Sequence, residues 1–201
     1  MKRAIFIISI ILIVDQLLKI YFKIHFQFQE TKAIIPGFIQ FNFTENMGMS
    51  FNYSFQNKLG KLFLSLLRIT IFIGLVSWLI YQIKNKGNVK IITATSFLLA
   101  GTMGNLMDNL FYGKLFSTTC GHPYSYHHTC DPVAKFMQGG YGNWGNGMVV
   151  DFFQFTLRWP DFIPTVGNKP IMGAIFNVAD VSIFIGLIIL IFSYKKIFKD
   201  K

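Results

Sequence analysis

Charged side chains are scarce in this chain: Asp, Glu, Lys and Arg make up only 14% of its 201 residues. A soluble domain averages about 25%, so there are too few to cover a water-facing surface. Hydrophobic residues reach 52% with a mean hydropathy of +0.45, and they gather in long runs. The composition excludes an ordinary soluble protein and indicates a membrane protein, which we expect to form a single domain over 1–201.

Acidic residues are scarcer still, because only 9 Asp and Glu oppose 19 Lys and Arg, for a net charge of +10. The basic residues cluster beside apolar runs, at 2–3, 84–90 and 195–201. Short loops that flank membrane helices keep Lys and Arg on the cytoplasmic side. The positive charge therefore indicates topology, and we expect no nucleic-acid partner.

Four apolar runs are each long enough for a spanning helix of roughly 20 residues: about 4–22, 62–83, 91–112 and 171–194. No small-x-small site follows the first run, so we interpret it as a retained helix rather than a cleaved signal peptide. The basic clusters place both termini in the cytoplasm. Alternation from Phe38 to Thr44 predicts short strands. The expected fold is mainly α, with four transmembrane helices and a small extracytoplasmic β-sheet (a β-cradle, 23–61).

Polar residues interrupt three of these runs, although each ionisable group at membrane depth costs at least about 2.5 kcal/mol. Counting about 1.5 Å per residue along each helix puts all of them in the outer half of the bilayer. They are Asp15 with Lys19, Asn105 with Asp108, and Asn177 with Asp180. Because three spans bring polar groups to one depth, we predict a functional site there.

Each feature also has a structural interpretation. Asp15 and Lys19, one turn apart, can pair along one helix face as a structural clamp rather than a catalytic pair. Asn105 and Asp108 suit inter-helix hydrogen bonds or a helix cap. Arg68, in the second run, is either an ion partner of Asp180 or an interfacial residue. Asp151, in "GMVVDFFQF", would on its own be an ordinary loop carboxylate.

Two carboxylates in a partly dry site share a proton, which provides one acid and one base. Such a pair activates water and protonates a leaving amine. The runs contain no GxSxG or HExxH motif that would supply a competing hydrolytic set. An aspartic hydrolase is the favoured chemistry. The alternative is a small proton-coupled carrier that uses membrane Asp, Asn and Lys residues, but the inner halves of the first and fourth runs are nearly all apolar.

Five blocks in a fixed order resemble the lipoprotein signal peptidases, also called type II signal peptidases. They are "DQLLK" (15–19), "NMGMSF" (46–51), "GNLMDN" (104–109), "VVDFF" (149–153) and "FNVAD" (176–180). The resemblance implies an aspartic endopeptidase that removes the signal peptide of diacylglyceryl-modified prolipoproteins, cutting just before the lipidated Cys. The family's catalytic pair maps onto Asp151 and Asp180. Residues that bind substrate or order the site map onto Asn46, Gly48, Asn105, Asp108, Asn177, Asp15 and Lys19.

The resemblance also implies a monomer in the bacterial cytoplasmic (inner) membrane, with its site facing the outer leaflet. Membrane lipids and the prolipoprotein signal peptide with its diacylglyceryl-Cys are its expected partners. We expect neither a cofactor nor a metal.

The sequence departs from the family pattern in two places. Asn109 stands where the family usually has Arg, so either the substrate or site carboxylates are held differently, or another basic residue such as Lys114 replaces the Arg. An extracytoplasmic insertion, 113–147, replaces a few residues of the family and holds "CGHPYSYHHTC". We favour a disulfide between Cys120 and Cys130 over zinc bound with the neighbouring histidines. We expect the insertion to modulate access rather than supply chemistry.

Overall fold

The computed structural model describes residues 1–46, 58–121 and 130–198. Its long helices are α1 (Lys2–His25), α2 (Lys58–Lys84), α3 (Val89–Met107) and α5 (Val178–Phe198). A π-helical turn, Asp108–Tyr112, and a short α4, Gly113–Leu115, extend α3. Strands β1 (Thr31–Ile35), β2 (Ile39–Asn46), β3 (Val149–Phe155) and β4 (Ile175–Phe176) complete the described elements.

Three of the described helices are long and apolar enough to cross a membrane: Lys2–His25, Ser65–Lys84 and Val89–Leu115. The apolar stretch of α5, Val178–Ser193, is shorter than these three. Large apolar side chains such as Phe6 and Phe192 point outward at 65% and 82% exposure. Outward-facing apolar helices suit a lipid environment, and the protein is a multi-pass membrane protein. The number of spans stays a prediction.

Helix α3 lies at the centre of the bundle and contacts α1, α2 and α5. Small residues permit this approach: a Cβ on Gly101 would overlap the backbone carbonyl of Ala179 in α5. A Cβ on Gly104 would lie 2.6 Å from Oδ2 of Asp15 in α1. Close backbone contact is how membrane helices gain packing energy without a hydrophobic drive. The glycines therefore set the spacing of the three helices that carry polar residues.

The spacing gives a stability prediction. Gly101→Ala should lower the free energy of unfolding by roughly 1–3 kcal/mol, because the methyl group forces α3 and α5 apart. Gly74→Ala in α2 is the matched control, since nothing lies within 4 Å of its added Cβ. That change should be neutral or stabilising by up to about 1 kcal/mol. Thermal unfolding in detergent micelles measures both, and equal midpoints would contradict the packing account.

The four strands form one antiparallel sheet in the order β1-β2-β3-β4. The alternation read from Phe38 to Thr44 corresponds to β2, which confirms a strand there. Strand β3 pairs with β2 so that Asp151 lies opposite Thr44. The sheet thus draws β3 and β4 from outside 23–61, because antiparallel partners come from distant parts of the chain. The position of the sheet relative to the membrane stays a prediction, as do the boundaries of 23–61 and 113–147.

Helix α5 begins at Val178, seven residues later than the fourth apolar run. Asn177 is its N-cap: the Asp180 N–H donates to Asn177 Oδ1 at 2.9 Å, and the Asn177 N–H donates to Asp180 Oδ2 at 3.1 Å. This reciprocal capping box fixes where a helix starts. The preceding residues pair with β3 instead, so hydrophobicity alone placed the start too early.

An aromatic core fills the space between α1 and the sheet. Phe22 stacks on Phe152 with ring centroids 4.3 Å apart, and Phe43 and Phe116 are fully buried beside them. This core fixes the sheet against the end of α1.

Lys23, one turn of α1 beyond Lys19, is also fully buried and forms an ion pair with Glu45 of β2. Its ammonium lies 5.0 Å from the ring centroid of Tyr141. The Lys23 carbonyl accepts a hydrogen bond from the Ala134 N–H at 3.2 Å. These contacts tie 113–147 to α1 and the sheet.

The described part of 113–147 is anchored at both ends. The Gly142 N–H donates to the Gly113 carbonyl at 2.8 Å, and the Gly147 N–H donates to the Asn109 carbonyl at 2.8 Å. Cys120 and Cys130 form a disulfide with their Cα atoms 4.9 Å apart, which confirms the pairing favoured from the sequence. The three histidines of the zinc alternative (122, 127 and 128) lie outside the described residues.

Candidate active site

A buried ammonium group joins α1 to α3. Lys19 Nζ lies 2.9 Å from Asp15 Oδ2 and 2.7 Å from Asp108 Oδ2, and all three side chains are fully buried. The same group donates to Asn105 Oδ1 at 2.9 Å. Asp15 Oδ1 also accepts the Ala179 N–H of α5 at 2.9 Å. One cation therefore holds two carboxylates and three helices, in a place where each unpaired charge would be costly.

Gln16 completes this cluster, although it was not among the predicted site residues. Its amide donates to Asp108 Oδ1 at 2.9 Å and to Asp15 Oδ2 at 3.1 Å. The Tyr112 hydroxyl donates to Gln16 Oε1 at 3.1 Å. The sequence did carry a signal, because Gln16 is a polar residue beside Asp15 in an apolar run. The cost argument that singled out Asp15 applies to it as well.

Two asparagine amides continue the network from Lys19 to a second pair of carboxylates. Asn105 Nδ2 donates to Asp180 Oδ1 at 3.0 Å. Asn177 Nδ2 donates to Asn105 Oδ1 at 3.2 Å and to Asp151 Oδ1 at 2.7 Å. Since the Asn177 N–H also reaches Asp180 Oδ2, one residue contacts both Asp151 and Asp180.

Strand β3 carries Asp151 into this network. Asn46, at the end of β2, donates through Nδ2 to Asp151 Oδ2 at 3.3 Å. The N–H of Val150 donates to Asp108 Oδ2 at 3.3 Å, which ties the strand to the Lys19 cluster. Asp151 is 3% exposed, whereas Asp180 is partly exposed. The pair therefore combines one buried carboxylate with one that a ligand can approach.

Burial raises the pKa of Asp151 to about 7, and the nearby charge of Asp180 adds to the rise. The hydrogen bonds from Asn46 and Asn177 and the charge of Lys19 act in the opposite direction. A carboxyl with a raised pKa binds its proton more tightly in the folded state. Its contribution to stability is therefore present at low pH and is lost as the pH rises through about 7. Near neutral pH, Asp151 is poised to gain or release a proton.

The contact with Asn46 gives a pH prediction. Asn46→Ala removes a hydrogen bond that favours the charged carboxylate, so the pKa of Asp151 should rise further. If protonated Asp151 is needed for turnover, the alkaline limb of the rate profile should move to higher pH. Asn42→Ala is the matched control, because Asn42 lies on the same strand and donates to Gln154 Oε1 at 2.9 Å. An unchanged limb in the Asn46 variant would contradict this role.

The surroundings of Asn109 and Arg68 bear on the Arg that the family usually has at position 109. Asn109 Nδ2 donates to the Gly147 carbonyl at 3.0 Å, and Ser65 Oγ donates to Asn109 Oδ1 at 3.2 Å. Lys114 is exposed.

Within the described ranges no ion pair within 4.0 Å joins Arg68 to Asp180, but Arg68 attracts Asp180 and other site carboxylates electrostatically at longer range. Arg68 lies one turn after Ser65, on the helix face directed at α3.

The structure brings together eight of the nine residues predicted for the site: Asp15, Lys19, Asn46, Asn105, Asp108, Asp151, Asn177 and Asp180. Gly48 lies outside the described residues. Their catalytic and binding roles stay a prediction.

Comparison with known protein sequences points to one family. A family model described as "Signal peptidase (SPase) II" matches residues 7–196. A lipoprotein signal peptidase of Porphyromonas gingivalis is 33% identical over 199 residues, which cover 94% of this chain and 81% of that protein. The chain belongs to the signal peptidase II family. It is therefore a protease of lipoprotein processing, which favours the peptidase over the proton-coupled carrier.

Further relatives agree in sequence and in fold. A lipoprotein signal peptidase of Chlorobaculum tepidum is 28% identical, with 84% of this chain and 78% of that protein covered. A bacterial membrane enzyme solved by the in meso method at 1.9 Å resolution has a TM-score of 0.65 and 23% identity. That match covers 96% of this chain and 93% of the solved chain. The fold is that of a bacterial membrane enzyme.

Proposed function

We propose that this signal peptidase II is an aspartic endopeptidase, with Asp151 and Asp180 as its catalytic pair. The observation that supports this most is Asn177, which donates to Asp151 Oδ1 at 2.7 Å and, through its N–H, to Asp180 Oδ2 at 3.1 Å. Two carboxylates bridged by one residue in a largely buried site favour a shared proton. That is the state an aspartic hydrolase needs.

In the proposed reaction, the ionised carboxylate takes a proton from water as the water oxygen bonds to the scissile carbonyl carbon. The protonated carboxyl gives its proton to the carbonyl oxygen, and a gem-diol forms. The C–N bond then breaks, the amine leaves with a proton from the pair, and the new carboxyl group remains on the other product. The amides of Asn46, Asn105 and Asn177 orient the carboxylates, and the Lys19 cluster, with Asp15 and Asp108, fixes the helices.

The proposed substrate is the signal peptide of a diacylglyceryl-modified prolipoprotein, cut just before the lipidated Cys. The diacylglyceryl chains would lie in lipid between the helices, at the end of the bundle where α1 and α3 finish and α5 begins. We propose four spanning helices, both termini in the cytoplasm and the site in the outer leaflet of the bacterial cytoplasmic membrane. The basic clusters at 2–3, 84–90 and 195–201 support this orientation.

Two peptides of one lipobox sequence test the substrate. One carries a diacylglyceryl group on its Cys and the other has a free thiol. The purified protein should cut only the diacylated peptide, and mass spectrometry should locate the new N-terminus at the modified Cys. Equal cleavage of both peptides, or a cut at another bond, would refute the proposed specificity.

A further inference from the structure

A hairpin lies between β3, which carries Asp151, and β4, which precedes Asp180. The Ile171 N–H donates to the Leu157 carbonyl at 2.9 Å, and the Trp159 N–H donates to the Lys169 carbonyl at 2.9 Å. Residues 157–171 therefore form a closed unit, called here the 157–171 hairpin. None of the five sequence blocks contains it, and the proposed chemistry does not use it.

The 157–171 hairpin and the residue after it expose large apolar side chains. Five of them are more than a third exposed: Leu157, Trp159, Phe162, Ile171 and Met172. Phe162, near the tip, is 82% exposed. Single exposed apolar residues are ordinary on any protein surface. Five within so short a segment make a patch of the kind that binds another protein or a membrane.

On the topology proposed above, the chain path brings this patch close to the outer surface of the bilayer. Its base is held in the sheet, where Phe155 and Phe176 lie 5.3 Å apart between ring centroids. Two residues after Phe176, the apolar helix α5 begins at Val178. If α5 enters the membrane near its first residues, as proposed, the hairpin starts at that level and lipid is the nearest apolar medium.

We propose that the 157–171 hairpin inserts into the membrane interface, with Trp159 and Phe162 among the lipid headgroups and upper acyl chains. Trp is enriched at that depth because its ring is apolar and its N–H is polar. Arg158 and Lys169 are exposed on the same hairpin and suit anionic headgroups, against one exposed acid, Asp161. The apolar patch therefore contacts lipid.

Insertion of the hairpin into the interface has a structural consequence for the candidate active site. The hairpin joins β3, which carries Asp151, to β4, which leads directly to Asp180. Its contact with lipid therefore fixes the height of both carboxylates relative to the bilayer. A substrate that is itself anchored in lipid meets the pair at that height.

Spin labelling measures the depth directly. Cys120 and Cys130 are bonded to each other and are the chain's two cysteines, so Phe162→Cys supplies one free thiol for a nitroxide. In lipid nanodiscs, the label should be several-fold more accessible to oxygen, relative to a water-soluble nickel relaxant, than a label at Asn85→Cys. Asn85 is exposed in the short loop between α2 and α3. Phe184→Cys, on the exposed apolar face of α5, calibrates the lipid side.

A second measurement uses the native tryptophan and needs no label. The chain has three Trp residues, and Trp78→Phe with Trp144→Phe leaves Trp159 alone. Phosphatidylcholine brominated near the headgroup end of its acyl chains should quench that fluorescence more than lipid brominated near the chain ends. Relaxant accessibility at residue 162 equal to that at 85, or no bromine quenching of Trp159, would overturn the proposal.

Discussion

We expect the Asp151→Asn enzyme to lose at least about a thousandfold in cleavage rate, the range that general acid–base groups supply. The amide has the size of the carboxyl but neither takes up nor releases the proton. The protein should still fold. Because the pKa of Asp151 is raised to about 7, about half of its carboxyl groups already carry a proton near neutral pH. A neutral amide therefore adds little desolvation cost.

The fold of this variant is checked by its thermal unfolding midpoint and by monodispersity in detergent. A preserved midpoint with lost cleavage assigns the carboxyl to chemistry. Near-normal cleavage would remove Asp151 from the catalytic pair. A parallel loss of folding and activity would mean that its hydrogen bonds to Asn46 and Asn177 act mainly in structure.

Lys19→Met should have the largest effect on stability. The change leaves Asp15 and Asp108 buried without the ammonium that lies 2.9 Å and 2.7 Å from them. Breaking one buried ion pair costs about 3–5 kcal/mol, and here one cation serves two carboxylates. We expect the variant to accumulate poorly and to unfold at a much lower temperature than the wild type.

Two controls separate this effect from the general loss of a lysine. Lys114→Met removes an exposed ammonium and should leave the midpoint unchanged. Adding Asp108→Asn to Lys19→Met removes one stranded charge, so the double variant should recover part of the lost stability. A Lys19→Met protein as stable as the wild type would show that the cluster is not what holds α1 to α3.

The sequence predicted the features that depend on local composition. Apolar runs located α1, α2 and α3, and the alternation through Phe41 and Phe43 located β2. The cost of polar groups in lipid found Asp15, Asp108 and Asp180. Each of these signals can be read within one short window of the chain.

The features of the fold and site that the sequence did not predict depend on contacts between distant segments. Strand β3 was not predicted, and Asp151 on its own was interpreted as a loop carboxylate, because the strand character of this segment comes from pairing with β2. The start of α5 depended on the capping box between Asn177 and Asp180, which hydrophobicity does not report. The Lys23–Glu45 pair was overlooked because it joins α1 to a strand distant in sequence. Only the three-dimensional arrangement shows what such polar residues contact.

The central claim is that Asp151 and Asp180 act together as an aspartic pair. The most direct test is cleavage of a diacylated lipobox peptide by purified Asp180→Asn protein, beside the wild type and Asp161→Asn. Asp161 is an exposed acid of the 157–171 hairpin, so its variant controls for the loss of one carboxylate. The account predicts full activity for Asp161→Asn and no detectable product from folded Asp180→Asn. Cleavage by Asp180→Asn at the wild-type rate would contradict it.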